Sequence, residues 1–232
     1  MLSASITNPN SAKKPFFIGL DVGGTNIKIG VVDDAGQTLA YDSIPTVQDR
    51  GAEDACERMG AVVKQLLAES KIDLKDVARA GIATPGPMDI AKGIILRPGN
   101  LPGWWDFPIR DRVSHHLNLP VSFANDANAA AYGEFWSGAG KQFHSLVLLT
   151  LGTGIGGGII IGDTLVEGEH SCGSECGHIL INPADDAPMD SLGNRGSLES
   201  YCNATAVIDR AIAALGSVTV TSLAKRRAAG EE

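Results

Sequence analysis

The sequence predicts an α/β protein, and three observations carry that reading. Strand-like runs flank a glycine turn near the start, in FFIGLDV, GGTN and IKIGVVD. A helix follows over residues 52–70, with Ala55, Met59, Val62, Val63, Leu66 and Leu67 at helical spacing. The strand–glycine–strand pattern then recurs: Leu20-Asp21-Val22-Gly23-Gly24-Thr25 lines up with Leu149-Thr150-Leu151-Gly152-Thr153-Gly154, from 21 to 150, an offset of 129 residues.

Taken in order, residues 1–14 are polar and expected as a flexible tail. The strand from Phe16, the strand after GGTN and a third in QTLAYDSIPT stand at hairpin spacing and predict a meander. VARAGIATPGPMD reads as a buried strand ending in a Pro/Gly loop. GIILRPGNLPGWWDFPI is too rich in Pro and Gly for regular structure and reads as a long loop. DRVSHHLNL reads as a helix, PVSFAND as a strand, and DANAAAYGEFWSGAG as a small-residue helix beginning just after Asp126.

Composition narrows the function classes. Hydrophobic residues are 44% of the chain and the formal charge is −8, so a core is expected and a nucleic-acid surface is not. The basic cluster Lys225-Arg226-Arg227 is followed by Glu231-Glu232 and reads as a solvated helix face. Cys56, Cys172, Cys176 and Cys202 lack a disulfide-framework spacing, which favours a reducing compartment. The start has no apolar signal region and the apolar runs are strand-sized, so a soluble cytoplasmic protein with no membrane partner is expected.

Gly152-Thr153-Gly154-Ile155-Gly156-Gly157 fits G-x-G-x-x-G, the dinucleotide-binding fingerprint. A dinucleotide turn should run into a helix. Here the chain runs into Ile159-Ile160-Ile161-Gly162-Asp163, β-branched and brief, so a returning strand is expected. Two such turns, Gly23-Gly24-Thr25-Asn26 and Gly152-Thr153-Gly154, offer consecutive backbone N–H groups to an anion, with hydroxyl donors from Thr25 and Thr153. Ordinary hairpins are the alternative. Asp21, ending the first strand, is the natural partner for Mg²⁺, directly or through water, since Mg²⁺ prefers carboxylate and phosphate oxygens. No G-x-x-x-x-G-K-[ST] stretch occurs.

In order along the chain, DVGGTNIKIGVVD, TPGP, NLPGW, FANDANAAAYGE, LGTGIGGGIIIG and GSECGH resemble the sugar kinases of the ROK family, and most nearly its bacterial glucokinases. The resemblance runs from Phe17 to Tyr201. It implies an actin-like (ribonuclease H-like), two-lobed ATPase fold, with sugar and MgATP in the cleft between lobes. The expected lobes are residues 15–124 and 125–232. The expected reaction is ATP-dependent phosphorylation of a hexose 6-hydroxyl, glucose first, as in glycolysis. The alternatives are another hexose (fructose, mannose, allose or N-acetylmannosamine) and a non-catalytic sugar-binding remnant or regulator. A homodimer is the assembly the family would suggest.

Residue by residue, the match to the family's N-D motif implies that Asp126 is the general base; a helix N-cap is the reading its position alone would favour. The resemblance also implies sugar contacts by Asn100 in GNLPGWW, Asn125, Glu175 and His178 in GSECGH, and Glu199 in GSLES. Trp104 and Trp105 read equally as a sugar platform or as packing under the loop.

The sequence departs from the family twice. Many relatives hold a structural zinc with that histidine and three cysteines; here the cysteine positions are Asp190, Leu192 and Ser197, so no structural zinc is expected. Cys172, Cys176 and His178 are compact but lack an obvious fourth ligand. The family also continues beyond the point reached by SLAKRRAAGEE, into a glycine-rich adenosine-binding segment, so the second lobe is expected to be short at its C-terminal side.

Overall fold

The structure, a computed structural model, describes residues 12–215 and Arg226. Residues 1–11 of the expected tail, and Lys225 and Arg227 of the basic cluster, lie outside the described residues. Residues 13 and 14 are tied down: the Lys13 N–H donates to Asp33 at 3.0 Å and Lys14 pairs with Asp76 at 2.7 Å.

The predicted meander forms as β1 (Phe16–Val22), β2 (Asn26–Val32) and β3 (Thr38–Pro45). Its alternation is what a sheet with one core-facing side requires: Ile18, Leu20 and Val22 of β1 and Ile27, Ile29 and Val31 of β2 are buried. Each of these side chains contributes about 1.5–3 kcal/mol by leaving water. α1 (Gly51–Glu69) buries Ala52, Ala55, Met59, Val63, Leu66 and Leu67, the stripe that its spacing predicts. β4 (Val77–Thr84) then enters parallel to β1, which a crossover helix makes possible.

The long loop holds more order than its composition suggests. β5 (Met88–Asp89) pairs with β6 (Ile94–Ile95), and Ile95 bridges Phe107. Leu101 and Trp104 are wholly buried, so side chains anchor the loop in addition to these backbone pairs. Beyond it come α2 (Ile109–Leu117), β7 (Val121–Asn125) and α3 (Asp126–Trp136). The central sheet has the order β3-β2-β1-β4-β7, with β7 parallel to β4. α3 contacts β4 and β7, and Trp136 meets Phe17 edge to face at 5.8 Å.

β8 (Leu146–Leu151), β9 (Ile155–Ile161) and β10 (Thr164–Leu165) make a second sheet in the order β10-β9-β8. β9 is the returning strand expected after the second glycine turn, not a helix. Gly158 lies against α3: a Cβ there would meet Ala131 Cβ at 2.3 Å. α4 (Leu198–Cys202) and α5 (Ala204–Leu215) follow.

The chain divides into two compact units. The first runs to Leu148 and resumes over Gly158–Ser174; the second takes Leu149–Gly157 and the chain from Glu175. The sequence expectation starts a second lobe at residue 125, whereas α3 and the first half of β8 fall in the first unit, α3 packing on β4 and β7. Among the described residues, no helix is long and apolar enough to cross a membrane.

Candidate functional site

In the first unit, β1 and β2 are joined by the three residues Gly23, Gly24 and Thr25. The Gly23 N–H donates to the Asn26 carbonyl at 2.9 Å, closing the hairpin. The turn's carbonyls are captured from the following segment. Thr46 Oγ1 donates to Gly23 O at 2.7 Å, the Thr46 N–H to Thr25 O at 2.9 Å, and Gln48 Nε2 to Gly24 O. Gln48 also donates to the Asn100 carbonyl at 3.0 Å. A Cβ on Gly24 would lie 2.9 Å from that same Asn100 oxygen, so only glycine allows this approach. The first glycine turn and the Asn100 loop are thus one braced assembly, and a cavity of about 570 Å³ lined by Gln48, Asp49 and Pro102 opens beside it.

Asp21 lies opposite Lys28 in the hairpin register, and Lys28 Nζ donates to its carboxylate at 3.0 Å. That hydrogen bond, with the carboxylate charge behind it, raises the Lys28 pKa. Thr25 and Asn26 are exposed at the turn. Asp21 is half exposed beside the turn, and one such carboxylate is the kind of group that fits a Mg²⁺ keeping most of its ligands as water and phosphate oxygen. Gln48 and Lys28 escaped sequence reasoning. Lys28 was findable, because a tight hairpin at Gly23 places it across from Asp21. Gln48 was not, because no local pattern links residues 48 and 100.

Asp126 is the first residue of α3 and is exposed. The N-cap role falls instead to Asn125, whose Oδ1 accepts from the Ala127 and Asn128 N–H groups at 2.9 and 3.3 Å. Asn125 therefore has its carbonyl oxygen committed to the helix, and its amide N–H groups are what it could offer a sugar. Asp126 Oδ1 accepts from the Ala127 N–H at 2.8 Å, at the N-terminal end of the helix. The two tryptophans separate: Trp104 is wholly buried and is packing, while Trp105 is exposed with the Arg97 guanidinium 5.9 Å from its ring.

In the second unit, Gly152, Thr153 and Gly154 join β8 to β9, with the Gly152 N–H donating to Gly154 O at 3.0 Å. Glu199 is buried behind this turn. Its Oε2 accepts from the Ile155 N–H at 2.9 Å and its Oε1 from Ser191 Oγ at 2.7 Å. A Cβ on Gly154 would lie 2.7 Å from Glu199 Oε2. Glu175 is exposed and precedes the helical turn Cys176–His178, where Gly177 is held so close to Ile155 that a Cβ would meet its carbonyl oxygen at 2.2 Å.

His178, Asp190 and Glu199 bring their ligand atoms within 4.8 Å of one another. The set does not fit a thiolate zinc site: it has no sulfur, and the carboxylate oxygens already accept hydrogen bonds. Cys172 is exposed and Cys176 buried, and neither belongs to this group.

The ROK family model matches residues 17–232. A glucokinase of Thermotoga maritima is 36% identical over 190 residues, 82% of this chain and 58% of that protein. The crystal structure of a ROK hexokinase from Thermus thermophilus superposes with a TM-score of 0.75 at 36% identity, over 86% of this chain and 64% of that one. A ROK family glucokinase from Streptomyces griseus, solved in complex with glucose and AMPPNP, gives a TM-score of 0.67 at 34% identity, over 88% of this chain and 62% of that one. The chain thus spans about 58% of the length of the curated glucokinase it matches. With its actin-like α/β fold and both glycine turns in place, the chain belongs to the ROK family.

Proposed function

We propose that this chain carries the sugar-phosphorylating machinery of a ROK kinase that transfers the γ-phosphoryl group of ATP to the 6-hydroxyl of a hexose, with glucose as the first candidate. The observation that carries this reading is the brace between the first glycine turn and the Asn100 loop, made by Gln48. It joins a segment suited to phosphate with the segment implied in sugar binding.

Asp126 is the proposed base. It takes the proton from O6 as O6 bonds to phosphorus and the bond from phosphorus to the ADP oxygen breaks. Asn100, Asn125, Glu175 and His178 are the proposed sugar contacts. Glu199, whose carboxylate bonds protein groups, is proposed to serve the sugar by holding the second turn. Gly23, Gly24, Thr25, Asn26, Gly152, Thr153 and Gly154 are the proposed phosphate ligands, through backbone N–H and hydroxyl donors. Asp21 would hold Mg²⁺, directly or through water, and the ion would neutralise phosphate charge. Lys28, paired with Asp21, adds a cation beside the same turn.

The test is glucose-dependent ADP release from MgATP by the 232-residue chain, with Asp126→Asn alongside. Loss of roughly 10²- to 10⁴-fold in kcat with glucose binding retained is expected for removal of a general base. Undiminished turnover in the variant would refute the assignment. Glucose binding without turnover in either protein would favour the non-catalytic sugar-binding alternative.

A further inference from the structure

The Asp190 side chain has no exposed surface and is surrounded by donors. Its Oδ1 accepts from the Leu192 N–H at 3.0 Å and the Asn194 N–H at 2.8 Å. Its Oδ2 accepts from Ser197 Oγ at 2.8 Å and Asn194 Nδ2 at 3.3 Å, and lies 3.0 Å from His178 Nδ1. Burial alone would push this carboxyl up, but the hydrogen bonds from Ser197, the Asn194 backbone, His178 and the Asn194 side chain outweigh it and hold the pKa well below the usual range.

An ionised carboxylate can only accept. Two backbone N–H groups can only donate, and the Asn194 amide nitrogen can only donate. The atom of His178 that faces Asp190 must therefore carry its proton. We propose that Asp190 is the positioning residue of His178: it fixes the imidazole in the Nδ1–H form and presents Nε2 as the hydrogen-bonding atom for a sugar hydroxyl. The sugar half of this inference rests on the function proposed above; the tautomer half does not.

The position matters because the same carboxylate also folds the loop that carries it. Oδ1 closes the turn through Leu192 and Asn194, and Oδ2 reaches Ser197, the N-cap of α4, whose Oγ accepts from the Ser200 N–H at 3.3 Å. One anion therefore joins the 190–194 turn, the start of α4 and the His178 ring. It gathers these segments as a bound metal would, using donors where a metal would need ligands.

The tautomer can be read directly on the unaltered chain from the nitrogen and carbon chemical shifts of the neutral His178 imidazole. The Nδ1–H form is expected. A neutral Nε2–H form in the wild-type chain would overturn the proposal, with no variant required. Asp190→Asn places an NH₂ group where Nδ1–H donated, so His178 should switch to the Nε2–H form. Ser197→Ala removes a donor from the same oxygen but leaves the carboxylate, so the Nδ1–H form should persist. Should both variants switch the tautomer, loop distortion rather than Asp190 would set it, and the proposal would fail. Glucose titration separates the two halves. His178→Ala and Asp190→Asn should each raise the glucose Kd, by a similar factor of about ten or more, as expected for loss of one well-oriented hydrogen bond. Unchanged glucose affinity in His178→Ala, with the tautomer as expected, would refute the sugar role of His178 and leave Asp190 as its positioning residue.

Discussion

The two glycine turns are equally long and each closes with a backbone hydrogen bond, from Gly23 to Asn26 and from Gly152 to Gly154, yet they are braced in opposite ways. The first is held by neutral donors acting on its carbonyls: Thr46 on Gly23 and Thr25, and Gln48 on Gly24. The second is held by a buried acidic side chain acting on an amide, Glu199 on Ile155. Their strands differ in the same sense. β1 and β2 bury an unbroken row of Ile, Leu and Val, whereas β8 leaves Val147, Leu149 and Leu151 exposed. A hairpin seated on a core needs its turn only to be shaped. A hairpin with one open apolar face relies on polar anchoring at its turn.

The largest effect that this contrast predicts is in the strands. Ile29→Ala should cost about 2–5 kcal/mol, because a wholly buried side chain leaves a cavity. Leu151→Ala, at 71% exposure, should cost no more than about 0.5 kcal/mol. Denaturant unfolding followed by tryptophan fluorescence reads the first effect cleanly, since Trp104, Trp105 and Trp136 all belong to the first unit; for Leu151, amide exchange along β8 is the measure. Comparable losses in the two variants would abolish the contrast.

The braces come next. Glu199→Ala leaves the Ile155 N–H without its acceptor, at about 1–3 kcal/mol. Amide exchange at Ile155 should accelerate roughly ten- to a hundredfold. Gln48→Ala removes a neutral, partly exposed donor and should cost about 0.5–1.5 kcal/mol, visible as faster exchange around Gly24. Equal acceleration at the two turns would show that charge and burial do not distinguish them.

The smallest effect is electrostatic. Glu53 on α1 pairs with Arg112 and His116 of α2, and these hydrogen bonds hold its pKa down at about 2. A carboxyl whose folded pKa is depressed contributes stability above its unfolded value, here 4.5, and loses it as the pH falls towards about 2. The pair is half exposed and screened, so about 0.2–1 kcal/mol is expected. Glu53→Gln should flatten the acid limb of the first unit's stability profile, and added salt should do the same to the wild type. A salt-independent acid limb that the substitution leaves unchanged would count against this.

Much of the scaffold was legible because it obeys local periodicity. The meander shows in the alternation of Ile18, Leu20 and Val22, and α1 in the spacing of Ala55, Met59, Val63 and Leu66. What escaped was decided by distant partners. The hidden pairing of β5 with β6 depends on Phe107 closing on Ile95. The N-cap fell to Asn125 rather than Asp126 because a cap is set by backbone dihedrals that two adjacent polar residues do not distinguish. Asp190 and Ser197 could be aligned with missing cysteines, but nothing in the sequence says that they bond each other and share His178.

Trp104 and Trp105, adjacent in the Asn100 loop, have opposite surroundings: one has no exposed surface, the other 60% of it. Their emission should differ accordingly, with a short-wavelength contribution from the enclosed indole and a long-wavelength one from the solvated indole beside Arg97. The loop therefore carries a paired optical gauge. The buried ring supplies a constant reference, and the solvated ring responds to whatever occupies the space next to it, so with Trp136 replaced by Phe, binding at this loop can be followed by the ratio of two colours without attaching a label.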